Sequence, residues 1–359
     1  MNTTIQHVAI RGVVGAVPGD PFPIASLPSR LTDDELRNLR VSVGLDRLYR
    51  CVKGQTAGDL CLAAARKVIQ DLHWAPASID GVFMVTQTPD HLMPATACII
   101  HRELGLKSQC LAFDIGMGCS GYVYGLWTAS QFIATGSCKR VLLLAGDTIS
   151  RLLSPNDNSV SVLFGDAGSA TALEFESGAS PIAFVGGSDG SGAADLIVPA
   201  GGFRLPLEEG DRTVPESDCR SSADLYMDGV SVLNFVLKRI PTLLNETLVE
   251  RGWEARDVEL LLMHQANAFI LRNLAKRLKM SDRLSLNINK YGNTSMASLP
   301  LLIADEVSER LMSSTKVKTV MAGFGVGYSW AAAATEICNL QSAGVVQVMP
   351  DKEDACTIL

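Results

Sequence analysis

The stretch that most constrains the fold runs from a short apolar segment, through a glycine-rich turn, into a helix that is apolar on nearly every side. Residues 110–113 predict the end of a short buried strand. Residues 122–134 predict the helix, and Gly136 ends it, because glycine readily adopts the conformation that follows a last helical turn. A helix without a polar face is buried on all sides. We therefore expect it at the centre of the molecule.

Cys119 lies in the turn between this strand and this helix, at or near the helix N-terminus. The exposed N–H groups and the dipole of a helix N-terminus favour a thiolate. Gly116, Gly118 and Gly121 allow a sharp turn and a close approach by a substrate backbone or thioester. Cys119 is therefore a candidate nucleophile, although an inert buried cysteine is an equally common interpretation of one such residue alone.

The composition excludes several classes of protein. Of the 359 residues, 47% are hydrophobic and 19% charged, which indicates a large buried surface. A net charge of −7 without any basic run argues against a nucleic-acid partner. Nine cysteines without paired spacing indicate a reducing, cytoplasmic environment, and no apolar run reaches the roughly 18 residues of a membrane span. There is no clustered His or Cys and no phosphate-binding loop motif, so we expect neither a metal nor a cofactor.

Strands and helices alternate along the chain, which predicts a layered α/β fold. The first half contains predicted helices at 56–72 and 94–105 and predicted strands at 82–85 and 141–146. The stretch 176–223, rich in Gly, Ser and Pro, predicts irregular structure crossing between halves. The second half contains predicted helices at 229–250 (kinked or interrupted at Pro241), 267–278 and 294–311, and predicted strands at 258–263, 284–287 and 317–321.

The order of these elements predicts two similar halves. We place them at residues 1–177 and 178–338. Residues 339–359 are turn-rich and polar, and they predict a surface tail.

Two polar clusters directly follow predicted buried strands. His264 lies between a strand and a helix, and Asn293 lies in a tight turn that caps a helix. Taken singly, His264 is more commonly structural, and Asn293 is a cap. In α/β sheets, however, ligands bind outside the carboxyl ends of strands. Because Cys119, His264, Asn293 and the loop 323–327 all lie at such ends, we expect one joint site.

These residue types support acyl transfer. A thiolate can attack a thioester and hold the acyl group covalently. The backbone N–H groups of Cys119 and of the glycine-rich loop near Val326 are candidates for an oxyanion hole. A His and an Asn that donate to one oxygen would stabilise the enolate left when a malonyl thioester loses carbon dioxide. In a Cys-His hydrolase the Asn or Asp would instead orient the imidazole, and residue types alone leave both geometries open.

The chain resembles the thiolase superfamily, and within it β-ketoacyl-acyl-carrier-protein synthase III, from residue 7 to residue 330. The motifs that carry the resemblance are residues 114–121, 164–168, 264–267, 291–295 and 323–327. The resemblance implies a thiolase-like five-layered αβαβα fold built from two similar halves, and a homodimer. It implies that Cys119 accepts the acyl group and that His264 and Asn293 promote decarboxylation and condensation. Phe324, Gly325 and Val326 are then the residues of the oxyanion hole and pocket.

By resemblance, the activity is that of an acyltransferase. It condenses a Cys-bound acyl group with a malonyl thioester in fatty-acid or specialised lipid or polyketide-type biosynthesis, using acyl-CoA or acyl-carrier-protein thioesters as substrates. Two alternatives are an acyltransferase that passes the acyl group to an alcohol or amine, and a partner subunit of a heteromeric ketosynthase. The retained Asn293 favours condensation, and the intact trio of Cys119, His264 and Asn293 argues against a partner subunit.

The chain departs from the family pattern at the positions that bind CoA. Family members that load acetyl-CoA use a Trp and several Arg residues, and the corresponding positions here are Asn38, Ser42, Asn158 and Phe269. None of these supplies the planar charge of a guanidinium. The arginines near enough in sequence to substitute are Arg37, Arg40, Arg47 and Arg151. We therefore expect a specialised acyl donor, such as a carrier-bound one, in place of acetyl-CoA.

Overall fold

Strands and helices alternate along the chain in a computed structural model that describes residues 1–27, 31–208, 211–214 and 218–350. The strands are β1 (Asn2–Ile5), β2 (Val8–Pro18), β3 (Phe22–Pro23), β4 (Arg47–Leu48), β5 (Gly81–Val85), β6 (Leu111–Ile115), β7 (Arg140–Ala145), β8 (Gly168–Phe175), β9 (Ile182–Ser188), β10 (Leu196–Ile197), β11 (Tyr226–Met227), β12 (Leu260–Met263), β13 (Val317–Gly325), β14 (Ser329–Ile337) and β15 (Ser342–Val348). The α-helices are α1 (Asp33–Asn38), α2 (Ala57–Asp71), α3 (Thr96–Glu103), α4 (Gly121–Ala134), α5 (Gly229–Arg251), α6 (Ala268–Arg277), α7 (Ile288–Tyr291), α8 (Ser298–Asp305) and α9 (Ser308–Met312).

Two large sheets carry the fold. One has six strands in the order β15-β2-β8-β7-β5-β6, and the other has five in the order β1-β9-β14-β13-β12. In the first sheet, β5 pairs in parallel with both β6 and β7. In the second, β12 and β13 are parallel. The carboxyl ends of β6, β12 and β13 lead to Cys119, His264 and the loop 323–327, which are three of the four predicted parts of the site.

The two sheets and their helices form five layers. Helices α4 and α8 lie between the sheets, where Tyr122, Leu126 and Leu299 belong to one core with residues of both sheets. Helix α2 covers the outer face of the six-stranded sheet, and α5 and α6 cover the outer face of the five-stranded sheet. The predicted central position of the apolar helix and the five-layered thiolase-like fold are confirmed.

Side-chain caps fix where several helices begin. Thr32 and Glu35 form a capping box at the start of α1, and Thr56 and Asp59 form another at the start of α2. Each box satisfies N–H groups that lack an intrahelical partner. Helix α5 is continuous through Pro241, so the predicted interruption is absent.

Three predicted elements of the second half differ in the structure. Residues 284–287 are not a strand, because Leu284 makes a single bridge to Leu261 before α7 begins at Ile288. The helix predicted at 294–311 is divided into a short turn, α8 and α9. The stretch 176–223, predicted to be irregular, contains the seven-residue strand β9.

The prediction of a surface tail is wrong for residues 342–348. These residues form β15, which pairs in parallel with β2. Ala343 and Val345 pack against the central core, and Val346 and Val348 pack against the core under α2, because successive strand residues point to opposite faces. Residues 351–359 of the predicted tail lie outside the described residues.

The two halves exchange strands at their ends. Strand β1, from the first residues of the chain, pairs with β9 in the five-stranded sheet, and β15 returns to the six-stranded sheet. The predicted division at residue 177 stays a prediction. Over the described ranges, the helices include none whose length and apolar character suit a membrane crossing.

Candidate active site

Cys119 lies between β6 and α4, at a point where two segments of backbone approach each other closely. Ser120 is the residue that precedes the first turn of α4, so Cys119 stands just outside the helix N-terminus. A Cβ atom added at Gly325 would lie 2.8 Å from Cys119 Cβ and 3.0 Å from its Sγ. A Cβ added at Gly323 would lie 2.8 Å from the Cys119 carbonyl oxygen. The glycines of β13 are therefore required so that this strand can pack directly on the cysteine.

The thiol of Cys119 is buried, with 8% of the residue exposed. Burial raises the pKa of Cys119 to about 11, and the charge of Asp147 acts in the same direction. The Ser295 hydroxyl and the backbone N–H groups of Cys119 and Val326 oppose this increase without cancelling it. The expectation that the helix N-terminus favours a resting thiolate is wrong here, because desolvation outweighs the favourable dipoles. A neutral thiol must lose its proton during the reaction.

His264 follows β12 and is buried. Its Nδ1 lies 2.8 Å from the Ser298 hydroxyl oxygen, at the start of α8. The ring meets that of Phe324 edge to face, with centroids 5.8 Å apart. Burial lowers the pKa of His264 to about 4, against a smaller opposing effect of the Ser295 carbonyl. The imidazole is therefore neutral at physiological pH, and its tautomer depends on Ser298.

Asn293 is held by backbone hydrogen bonds to the segment before β8. Its N–H donates to the Leu163 carbonyl at 2.9 Å, and its carbonyl accepts from the Gly165 N–H at 3.0 Å. The side-chain Oδ1 accepts a hydrogen bond from the Ser295 N–H at 3.0 Å. Because a backbone N–H needs an acceptor, this contact fixes the orientation of the amide. The Asn293 NH₂ group is then the part that can donate to a ligand.

Ser295 is the residue at which the predicted site residues meet. Its Oγ lies 4.0 Å from Cys119 Sγ, its N–H binds Asn293, and its carbonyl acts on His264. The three side chains, from three separate segments of the chain, thus lie around one residue: Cys119 and His264 follow strands β6 and β12, whereas Asn293 follows helix α7 and not the predicted strand. Ser295 belongs to the motif 291–295, but the sequence alone indicates no role for it. The sequence feature that could have indicated a role for Ser295 is its hydroxyl, two positions after the candidate site residue Asn293.

A cavity of about 540 Å³ opens onto Cys119. Of the three predicted pocket residues, Val326 lines this cavity, together with Ser295. Phe324 instead lies buried against His264, and Gly325 packs on Cys119. Much of the remaining wall comes from residues in the ranges 193–207, 211–214 and 223–225, most of which lie in the stretch 176–223 that was predicted to be irregular. The apolar lining includes Ile149, Leu152, Phe164, Leu196 and Leu225. The sequence alone does not indicate this wall of the cavity, because short apolar segments between polar turns have no periodic pattern.

The positions that differ from the CoA-binding pattern lie outside this cavity's lining. Asn38 ends α1, and Phe269, in the first turn of α6, is 59% exposed. Of the arginines considered as replacements for the CoA-binding ones, Arg151 donates hydrogen bonds to the carbonyls of Val52 and Gln55. Its guanidinium is therefore already engaged within the protein. Arg37, Arg40 and Arg47 are exposed. Within the described ranges, no group of three or more His, Cys, Asp and Glu side chains is placed to hold a metal ion.

Comparison with known proteins places this arrangement in a family. Residues 113–190 match the model for 3-oxoacyl-[acyl-carrier-protein] synthase III, and residues 248–337 match the model for its C-terminal part. The β-ketoacyl-[acyl-carrier-protein] synthase III 3 of Streptomyces coelicolor is 36% identical over 86% of this chain and 93% of its own length. The chain belongs to the 3-oxoacyl-[acyl-carrier-protein] synthase III family.

Further relatives agree with this assignment. The β-ketoacyl-[acyl-carrier-protein] synthase III of Caldanaerobacter subterraneus is 34% identical over 84% of this chain and 88% of its own length. The crystal structure of a 3-oxoacyl-(acyl-carrier protein) synthase from Burkholderia xenovorans is 40% identical, with a TM-score of 0.91 and coverage of 97% of this chain and 99% of that one. This synthase III family member is an acyl-transferring condensing enzyme.

Proposed function

We propose that Cys119 accepts an acyl group from a thioester and that His264 and Asn293 then promote its decarboxylative condensation with a malonyl thioester. The observation that carries this proposal is the meeting of the three side chains around Ser295, at the end of a cavity that opens onto the thiol. Near Cys119 Sγ, the backbone N–H groups of Cys119 and Val326 supply the oxyanion hole.

Two neutral donors suit the decarboxylation step. Ser298 Oγ accepts from the Gln265 N–H at 3.3 Å, so we assign its proton to His264 Nδ1. The imidazole then carries its own proton on Nε2 and donates from there. Together with the Asn293 NH₂ group, Nε2–H stabilises the enolate oxygen that forms as carbon dioxide leaves. Every step uses a thiol, amides and thioester substrates, so we propose that no further cofactor is needed.

We propose a specialised acyl donor rather than acetyl-CoA. A cavity of about 540 Å³ with a largely apolar lining is much larger than an acetyl group needs. The departures at Asn38, Ser42, Asn158 and Phe269 remove the usual contacts to CoA, and a carrier-bound donor agrees with that loss.

We also propose a homodimer in the cytoplasm. Among the described residues, β6 is an edge strand whose one partner is β5. Its Leu111 is 42% exposed, and Phe113 and Ile115 are half-buried. An exposed apolar edge strand invites pairing with another chain, and a second copy would cover it. Eight cysteines of the described residues are free thiols, which agrees with a reducing compartment.

The site roles are tested by separating the two half-reactions. We expect Cys119→Ala to abolish acylation in intact-protein mass spectrometry across a panel of acyl-CoA and acyl-carrier-protein donors. We expect Asn293→Ala and His264→Ala to retain acylation of Cys119 while malonyl decarboxylation falls roughly 100- to 1,000-fold, the usual cost of one preorganised donor. If Asn293→Ala abolished acylation and left decarboxylation intact, the assigned roles would be reversed. Unchanged condensation in both variants would favour acyl transfer to an alcohol or amine.

A further inference from the structure

A buried carboxylate lies close to the nucleophile and has no part in the chemistry described so far. Asp147 lies two residues after the end of β7 and is completely buried. Its Oδ1 accepts hydrogen bonds from the Gln87 N–H at 2.8 Å and from the hydroxyls of Thr86 and Thr88 at 3.1 Å. Its Oδ2 is buried without a hydrogen-bond partner in the part of the chain that the structure describes. A buried carboxylate oxygen without a donor is costly, so its presence next to a reactive thiol calls for a function.

Ser295 is the residue between this carboxylate and the thiol. Its Oγ is 4.0 Å from Cys119 Sγ, and the same hydroxyl lowers the pKa of the Asp147 carboxyl, although it makes no hydrogen bond to Oδ2 in the described part of the structure. The backbone of Ser295 has φ +52°, a left-handed conformation that is unfavourable for a residue with a Cβ. The N–H contact to Asn293 Oδ1 stabilises this conformation. The chain thus accepts strain at the position that directs a hydroxyl toward both groups.

We propose that the thiol proton of Cys119 leaves through the Ser295 hydroxyl to Oδ2 of Asp147 during acyl loading. This proposal rests on the role of Cys119 as acyl acceptor given above. Ser295 is then a further catalytic residue, since it touches the reacting sulfur, and Asp147 acts through it.

The step is balanced in atoms and electrons. As Sγ forms its bond to the carbonyl carbon of the acyl thioester, Ser295 Oγ accepts the thiol proton and donates its own proton to Asp147 Oδ2. When the tetrahedral intermediate collapses, the carbonyl carbon's bond to the donor sulfur breaks. The leaving thiolate takes the proton back from Asp147 through Ser295. The hydroxyl and the carboxylate are both restored, and no oxidant or reductant is required.

The alternative base within the site is less suited to this task. Burial lowers the pKa of His264 to about 4, whereas it raises the pKa of Asp147 to about 6. At neutral pH, Asp147 is therefore ionised and is the stronger base of the two. The titratable groups that Asp147 faces on neighbouring elements are Cys61 of α2 and Cys119. Both thiols are neutral near pH 6, because burial raises their pKa to about 12 and about 11.

The test measures the reactivity of the thiol independently of any acyl donor. The full-length protein is alkylated with iodoacetamide between pH 5 and pH 10, and the modification of Cys119 is followed by peptide mass spectrometry. A protonated Asp147 cannot accept a proton, so we expect the wild-type rate to rise with pH through an inflection near pH 6. In Asp147→Asn and Ser295→Ala this inflection is lost, and single-turnover acylation falls by about 100-fold or more.

Two further variants separate the relay from a structural effect. Asp166 is equally buried and accepts from Ser150 and Cys51, so Asp166→Asn removes a carboxylate of the same burial at another place. We expect it to keep the inflection, and we expect Asp147→Glu to restore part of it. An inflection near pH 6 that persists in Asp147→Asn or Ser295→Ala, or that is absent from the wild type, overturns the proposal. If the alkylation rate of Cys119 depended on Asp147 and Ser295 as expected, but no donor acylated Cys119, the proposed function would be wrong and the proton relay would still stand.

Discussion

At Cys119 two physical effects act in opposite directions on one thiol. A helix N-terminus favours the anion by roughly 0.3–1 kcal/mol, which is less than the roughly 1.4 kcal/mol that corresponds to one pKa unit. Burial in the packed centre of the molecule acts the other way and raises the pKa from 9.0 to about 11. The proposed nucleophile therefore rests as a neutral thiol, protected from adventitious oxidation or alkylation, and it would depend on neighbouring groups to accept its proton.

Gly325 offers a test of this close packing at the scale of one residue. Its added Cβ would lie 2.8 Å from Cys119 Cβ, and ladder pairing with Ser329 prevents β13 from moving away. We expect Gly325→Ala to displace the thiol and to reduce single-turnover acylation about 100-fold. Gly116→Ala is the matched control, because a Cβ there meets nothing within 4 Å. Equal acylation rates in the two variants would contradict the role given to Gly325.

At the scale of elements, strand ends and helix starts place the site. His264 and Asn267 lie in one short connection between β12 and α6, and they have different tasks. His264 faces the buried site, whereas Asn267 Oδ1 accepts from the N–H groups of Phe269 and Ile270 and begins α6. Some polar residues that follow a strand are thus catalytic candidates and others are helix caps. Because both kinds occur in one short connection, a motif alone cannot tell the two roles apart.

Asn267→Ala tests the capping role. Loss of an N-cap side chain typically costs about 0.5–2 kcal/mol, so we expect a lower free energy of unfolding in urea denaturation. The control is Asn273→Ala on the same helix, where the exposed side chain donates to the Phe269 carbonyl. Alanine has the higher helix propensity, so this variant is expected to lose no stability. A loss in Asn273→Ala as large as that in Asn267→Ala would count against the cap.

At the scale of the whole molecule, the outer edge of β6 forms one side of the six-stranded sheet and pairs with no strand of the described residues. We expect the wild type to have twice the chain mass of 38.3 kDa by light scattering at micromolar concentration. Leu111→Lys places a charge on β6 and is expected to shift the protein toward monomer. Val249→Lys alters an 81% exposed residue on α5 and is expected to leave the dimer intact. A monomeric wild type would exclude the proposed homodimer.

The sequence by itself determined the features that depend on nearby residues. The helix α4 that is apolar on nearly every side, the helix α2 and the continuous strand β7 are local patterns, and each appears in the structure close to its predicted position. The placement of Cys119 and His264 at strand ends is local too, whereas Asn293 follows α7 instead of the predicted strand. Because strand ends gather at one edge of a sheet, this pattern was enough to predict a joint site.

The tertiary structure decided what depends on distant partners. Strand β15, near the end of the chain, pairs with β2, near its beginning. Nothing within residues 342–348 indicates that β2 is the partner. Ser295 meets Cys119 across 176 positions of sequence, and Asp147 joins them from a third segment. The resting state of the thiol follows from the same packing. Desolvation depends on every group that surrounds an atom, whereas a sequence motif specifies only its neighbours along the chain.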